Sequence, residues 1–294
     1  MVGAKTVGPA PGPTGGFGLS SLNPFLTGDN IMRIPIYQVD VFTKHLFGGN
    51  PAAVCPLRAW LSDDVLQAIA QENNLSETAY FVPHGSAYHL RWFTPETEVD
   101  LCGHATLAAA HVLIHHLMYP HDRIEFHTQS GAVWVRREGD RLTLDFPSRP
   151  PEPTVAPPAL VEALGGDPIT VLRSRDHFVV YRSADEIAAL RPDFARLSGL
   201  ESLGVIVTAP GTDCDFVSRF FAPDCGIAED PATGSAHCTL IPYWAGRLGR
   251  TELHARQLSA RQGEFFCRLV DDRVAISGHA VSYLEGAITV ADTA

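Results

Sequence analysis

The chain carries a near-copy of itself. Arg91-Trp92-Phe93-Thr94-Pro95 is matched by Arg219-Phe220-Phe221-Ala222-Pro223. An acidic loop follows each, and each loop ends in a turn of small residues that opens a long apolar helix. The turns are Cys102-Gly103-His104-Ala105-Thr106 and Asp230-Pro231-Ala232-Thr233-Gly234-Ser235. The spacing differs slightly between the copies, so the letter-by-letter pairing stays open. Such self-similarity marks two copies of one α+β unit. Two related halves meet at a pseudo-twofold cleft, and domain interfaces are favoured places for ligand sites.

The boundaries follow from composition. Residues 1–31 are rich in glycine and proline and lack a basic start followed by an apolar core. They read as a flexible extension rather than a signal peptide. Residues 32–149 form the first half and 150–294 the second. Between Pro147 and Pro158 lie six prolines, which resist both helix and central strand and so mark a crossing. In the first half, alternation predicts a strand over 34–42, and Gly48-Gly49-Asn50-Pro51 is a turn. Ser62 before Asp63 and Asp64 starts a helix to about Glu72. Strands over 78–82 and 88–93 precede a helix from near His104 to about Met118, and three short strands follow. In the second half, strands at 169–172 and 178–181 and a helix over 183–190 lead to strands at 204–208 and 216–221. A helix from about Thr233 to Leu248 and four short strands close the chain.

Several classes are disfavoured. With 22 Lys and Arg against 33 Asp and Glu, the formal net charge is −11, a poor match for nucleic acid or an anionic membrane. The six cysteines contain no C-x-x-C pair and read as free, mostly buried thiols of a cytoplasmic protein. The longest apolar stretch is interrupted by His111, His115 and His116, so no membrane span is expected. No dinucleotide-binding, P-loop or nucleophile-elbow motif occurs.

The chemistry-bearing residues gather around the two turn–helix junctions. A helix start presents unpaired N–H groups and partial positive charge. Two starts facing each other, with Gly103 and Gly234 permitting close approach, would hold a carboxylate or an enolate-like intermediate. Glu77 lies between a helix and a strand, where it is either an ordinary surface carboxylate or a shielded proton shuttle. His104 could bond substrate or tune the base, and could equally bond only backbone. Asp230 could cap its helix or serve as a second polar group in the cleft. Ser235 could offer its hydroxyl to a carboxylate. Cys102 at a helix start could be a reactive thiol or a buried hydrophobe. His111 and His115 have metal-like spacing, but Val112 stands where a zinc-protease helix has glutamate, and no ligand frame is recognised.

Six blocks together resemble the PhzF-like phenazine-biosynthesis family, which is related to diaminopimelate epimerase. They are Ile36 to Thr43, Gly49 to Val54, Leu75 to Phe81, Arg91 to Glu96, Leu101 to Ala108 and Asp230 to Ala236. The resemblance implies two half-domains, each a curved, mostly antiparallel sheet around a central helix, with the site between them. It implies no cofactor and usually a homodimer. It implies Glu77 as the proton-transferring acid/base, with His104, Asp230 and Ser235 touching substrate or assisting. Amides around Gly103, Thr233 and Gly234 would hold an acidic group of a small metabolite. The family's namesake moves a proton along the conjugated ring of trans-2,3-dihydro-3-hydroxyanthranilate. The related epimerases use two opposed cysteines. Here Cys102 matches one, and Pro231 is expected opposite it, so a single carboxylate fits better than a thiol pair.

Overall fold

The second half repeats the strand pairing of the first, step for step. The computed structural model describes residues 31–200 and 202–291, so the expected extension lies outside the described residues except for Ile31. The first half runs β1 (Ile31–Val41), β2 (Asn50–Pro56), α1 (Asp63–Asn73), β3 (Glu77–His84), β4 (Ala87–Phe93), β5 (Glu98–Val99), α2 (Gly103–His115), β6 (Arg123–Thr128), β7 (Gly131–Glu138) and β8 (Arg141–Pro147). The second runs β9 (Glu152–Pro153), α3 (Pro158–Leu164), β10 (Thr170–Arg173), β11 (His177–Val180), α4 (Ala184–Ala189), α5 (Phe194–Leu197), β12 (Val205–Pro210), β13 (Phe216–Phe221), α6 (His237–Leu248), β14 (Glu252–Gln257), β15 (Gly263–Val270), β16 (Arg273–Gly278) and β17 (Ala280–Ala291).

In the first half β1–β2 is antiparallel, β2–β3 parallel, β3–β4 antiparallel, β4–β6 parallel, and β6–β7 and β7–β8 antiparallel. In the second half β10–β11, β11–β12, β12–β13, β13–β14, β14–β15 and β15–β16 follow the same sequence of senses. The fold is α+β and mostly antiparallel. The second half also lends a strand to the first. After β8 the chain crosses to pair β9 with β10, and after β16 it crosses back to pair β17 with β1. Strands β8 and β16 pair with each other. The expected short closing strand is therefore a 12-residue one, lying along the whole of β1.

The matched arginines make matched ion pairs. Arg91 forks onto Glu98 with two 2.7 Å bonds, and Arg219 forks onto Glu229 at 2.7 and 2.9 Å. These bidentate bonds fix the acidic loop that precedes each helix start. Each half encloses its long helix. In α2 every residue but His115 is buried, as expected of a helix apolar on all sides. The helix stops at His115, three residues before the expected Met118, which takes a positive φ of 55°.

Helix α6 carries Pro242 in its interior. Proline leaves the carbonyl four residues back without its helical donor. That carbonyl, Cys238 O, accepts instead from Arg149 N at 2.8 Å, so the proline-rich crossing repairs the helix that proline interrupts. The crossing also contains α3, with Pro158 at its first position, where a missing N–H costs nothing. No sequence pattern anticipated that helix, nor the four-residue α5.

One glycine is required. Gly49 has φ +59°, and a Cβ there would lie inside contact distance of the Val41 carbonyl oxygen, which is backbone and cannot yield. Gly49→Ala should lower stability by about 3 kcal/mol, from overpacking and left-handed strain together. Urea unfolding checks this; a loss below about 1 kcal/mol would mean that the turn has another accessible form.

Candidate active site between the two helix starts

Four chain ends converge. Asn50 opens β2 and Glu77 opens the neighbouring parallel strand β3, registered two residues on, at Ala52↔Glu77. Gly103 opens α2, with Cys102 as N-cap in extended conformation (φ −143°, ψ 112°). Gly234 opens a short 3-10 turn, Gly234–Ala236, that leads into α6, with Thr233 as its extended N-cap (φ −103°, ψ 96°). Cys102 and Thr233 are both extended caps, the first of α2 and the second of the turn that leads into α6, so no thiol caps the second start. Each helix-opening glycine lies under an aromatic ring. A Cβ on Gly103 would be 3.3 Å from Phe146, and one on Gly234 would be 3.3 Å from Phe42.

Within this hollow Glu77 Oε2 lies 3.0 Å from His104 Nε2, with side-chain exposures of 13% and 7%. Neither atom has an aligned hydrogen bond, so the contact is an ion pair out of line for an N–H···O bond. His104 Nδ1 faces Cys102 Sγ at 3.5 Å. Asn50, fully buried, donates one amide N–H to Asp230 Oδ1 at 2.8 Å and the other to the Ala232 carbonyl at 3.0 Å. Both donors are then used, and the 3.3 Å approach of Asn50 Nδ2 to His104 Nδ1 is a contact rather than a bond. Ser76 Oγ donates to Asn50 Oδ1 at 3.2 Å, and Thr233 Oγ1 donates to Asp230 Oδ2. Gln257, at the end of β14, accepts from Thr233 N at 2.8 Å and donates to the Asp230 carbonyl at 2.7 Å.

The electrostatics are those of a dry site. Burial opposes charge on His104, but the neighbouring Cys102 and Glu77 outweigh it and hold its pKa well above the usual histidine value. Burial, reinforced by Glu77, raises the Asp230 pKa against the pull of His104, Thr233 and Asn50. Burial and Glu77 likewise raise the Cys102 thiol against His104, leaving it protonated near neutrality. His237, two residues past Ser235, is pushed by burial down to about 4 and stays neutral, its Nδ1 3.0 Å from the Thr233 carbonyl.

Of the residues singled out from sequence, Glu77, Cys102, His104, Asp230 and Thr233 share this network, and Gly103 and Gly234 open its two helices. Ser235 has a separate partner: its Oγ accepts from the Arg175 guanidinium at 3.4 Å. Asn50, Ser76 and Gln257 were missed. Asn50 carried a signal, since it follows the glycine pair, but it read as a turn residue. His111 and His116 both meet Ser282 Oγ, at 2.9 and 2.7 Å, and tie α2 to β17. Glu77, Cys102 and His104 place an oxygen, a sulfur and a nitrogen within 4.8 Å of one another, which a metal ion could use. The opposite charges of the Glu77–His104 pair and the protonated thiol suit proton transfer better.

The family model for phenazine biosynthesis-like proteins, PhzC-PhzF, matches residues 39–286. The chain belongs to the PhzF-like isomerase family. A protein named as an uncharacterized isomerase from Pseudomonas aeruginosa is 56% identical over 257 residues, covering 87% of this chain and 99% of that one. The crystal structure of a PhzF-family protein from Enterococcus faecalis, 46% identical, superposes with a TM-score of 0.86 over 87% of this chain and 99% of that one. The fold alone is shared with a hydroxyproline epimerase from Agrobacterium vitis, 12% identical, with a TM-score of 0.60 over 89% and 94% of the two chains. No helix among the described residues is long and apolar enough to cross a membrane.

Two outcomes follow from the network. Asn50→Ala strands Asp230 and the Ala232 carbonyl and should cost about 2 kcal/mol, read by urea unfolding. His104 has a raised folded pKa, so its stabilising effect is complete below the unfolded value of about 6.5 and fades as pH rises through the folded value. The stability gap between wild type and His104→Gln should therefore be widest near about pH 6 and narrow on the alkaline side. A gap that widens with alkalinity would mean that the ring is buried neutral.

Proposed function

We propose that the chain is a cofactor-independent isomerase that moves a proton between two atoms of a small carboxylate-bearing metabolite, with Glu77 as the acid/base. The observation that carries this reading is the Glu77–His104 pair, buried at 3.0 Å without aligned bonds and set beside two helix starts. A carboxylate held that way is ready to exchange its poor contact for a substrate proton.

The step is a suprafacial transfer. Glu77 takes a proton from a substrate carbon, and the C–H electron pair moves into the adjacent unsaturated system. The negative charge that develops lies between the first N–H groups of α2 and of the turn at Gly234, which have no intrahelical acceptor. Protonated Glu77 then returns the proton to another atom on the same face. His104 keeps the pair's charge balanced. Asp230, its pKa raised by burial and then by Glu77, orients a polar group of the substrate, as does Thr233. Ser235, beside Arg175, receives the outer end of the acidic group. The free thiols support a cytoplasmic enzyme, and the family resemblance supports a homodimer.

Epimerisation by Cys102 is less well supported. Burial keeps the thiol protonated, and its counterpart at the other helix start is Thr233, not a second thiol.

Glu77→Gln should keep the fold and lower solvent-deuterium incorporation into a turned-over metabolite by about 10²–10⁴-fold. Full turnover by this variant would refute the assignment. Cys102→Ala should retain most of the exchange; loss comparable to that of Glu77→Gln would move the chemistry to the thiol.

A further inference from the structure

Away from the cleft, three imidazoles converge on the outer face of the first half. His84 ends β3 and His89 lies in β4, joined to it by a turn in which Gly85 takes φ +62°. That value suits the first central position of a II′ hairpin turn. In the ladder His84 opposes Ala87, and Val82 opposes His89, so His84 and His89 point to the same side of the hairpin. Across the next ladder His89 is registered with His127 of β6. The ring centroids of His84 are 4.1 Å from those of His89 and 5.4 Å from those of His127, and His89 and His127 are 5.7 Å apart. One ring nitrogen from each lies within 4.8 Å of the others.

We propose that His84, His89 and His127 form a binding site for one divalent transition-metal ion of the zinc class, separate from the reaction cleft. Four-coordinate zinc binds imidazole nitrogen at about 2.0–2.1 Å, which sets the nitrogens about 3.4 Å apart. Closing from 4.8 Å needs only side-chain rotation, and His84 is exposed and free to make it. Glu125, two residues before His127 on the same face, has Oε1 2.9 Å from His127 Nε2. A carboxylate on one ring nitrogen fixes the tautomer and leaves the other nitrogen as the ligand, as in metal sites generally. Three imidazoles favour zinc, copper, nickel or cobalt over magnesium or calcium. Water completes the shell on the solvent side.

The place suggests a structural clasp. The β4–β6 ladder has only two registered pairs, Tyr88↔Phe126 and His89↔His127, and the metal would close its end. The three histidines come from three strands, so no sequence motif announces them.

The test uses the full chain, free of any polyhistidine tag and stripped with chelator, titrated with Co²⁺ followed by visible absorption and with Zn²⁺ followed by calorimetry. One equivalent should bind, with the intense visible bands of a four-coordinate cobalt ion. His89→Ala and His127→Ala should each weaken binding by about tenfold or more, and Glu125→Gln by a smaller factor. Zn²⁺ should raise the thermal midpoint of the wild type and not that of His89→Ala. The His84→Ala variant, altered at an exposed position, guards against a folding artefact. Absence of saturable binding would overturn the proposal. So would binding that survives replacement of all three histidines, or that is lost in Cys102→Ala.

Discussion

Burying Glu77, His104 and Asp230 in one hollow is the most demanding thing this fold does. Removing a charge from water costs several kcal/mol per ion even after relaxation, and a buried pair is tolerable only when its geometry and neighbours compensate. Here the compensation is distributed. His104 and Glu77 offset each other, Asn50 and Thr233 bond both oxygens of Asp230, and Gln257 ties down the loop that carries it. Thr233 is close to Asp230 in sequence, but the other partners are remote. Asn50 and Asp230 are 180 residues apart, so the site exists only once both halves have folded and met.

The duplicated topology answers that requirement. Each half brings one helix start and the glycine that opens it, and the halves are held in register by shared strands. β8 pairs with β16, and β17 of the second half runs along the full length of β1 in the first. A cleft framed this way resists opening, because separating the halves would break continuous ladders and not only side-chain contacts. The two arginine forks, Arg91–Glu98 and Arg219–Glu229, hold the loop ahead of each helix start in equivalent positions. The symmetry ends at the buried polar groups, where Glu77 and His104 lie on one side and Asp230 and Thr233 on the other.

Much of this was legible in the letters. The repeat itself, the glycines opening both helices, and the pairing of Glu77 with His104 rest on local patterns or on the family resemblance. What could not be read depends on contacts remote in sequence. Asn50 looked like a turn residue because its partners lie in the other half. Gln257 sits in a strand whose alternation says only which face is inward. Letter spacing set Pro231 opposite Cys102, and it could not show that Thr233 caps the turn leading into α6. The helix expected to Leu248 runs through Pro242, and only the fold shows that Arg149 supplies the donor that proline lacks. The length of β17 is dictated by β1, not by its own largely exposed sequence.

The central claim is that both helix starts serve one shared anion site beside Glu77. A titration of the ¹⁵N-labelled protein with a small carboxylate, followed by amide NMR, tests it most directly. The account predicts that the amides of Gly103 and His104 and those of Gly234 and Ser235 shift together, saturating with a single dissociation constant. Movement at one helix start alone, or two sets of shifts with separate constants, would contradict it.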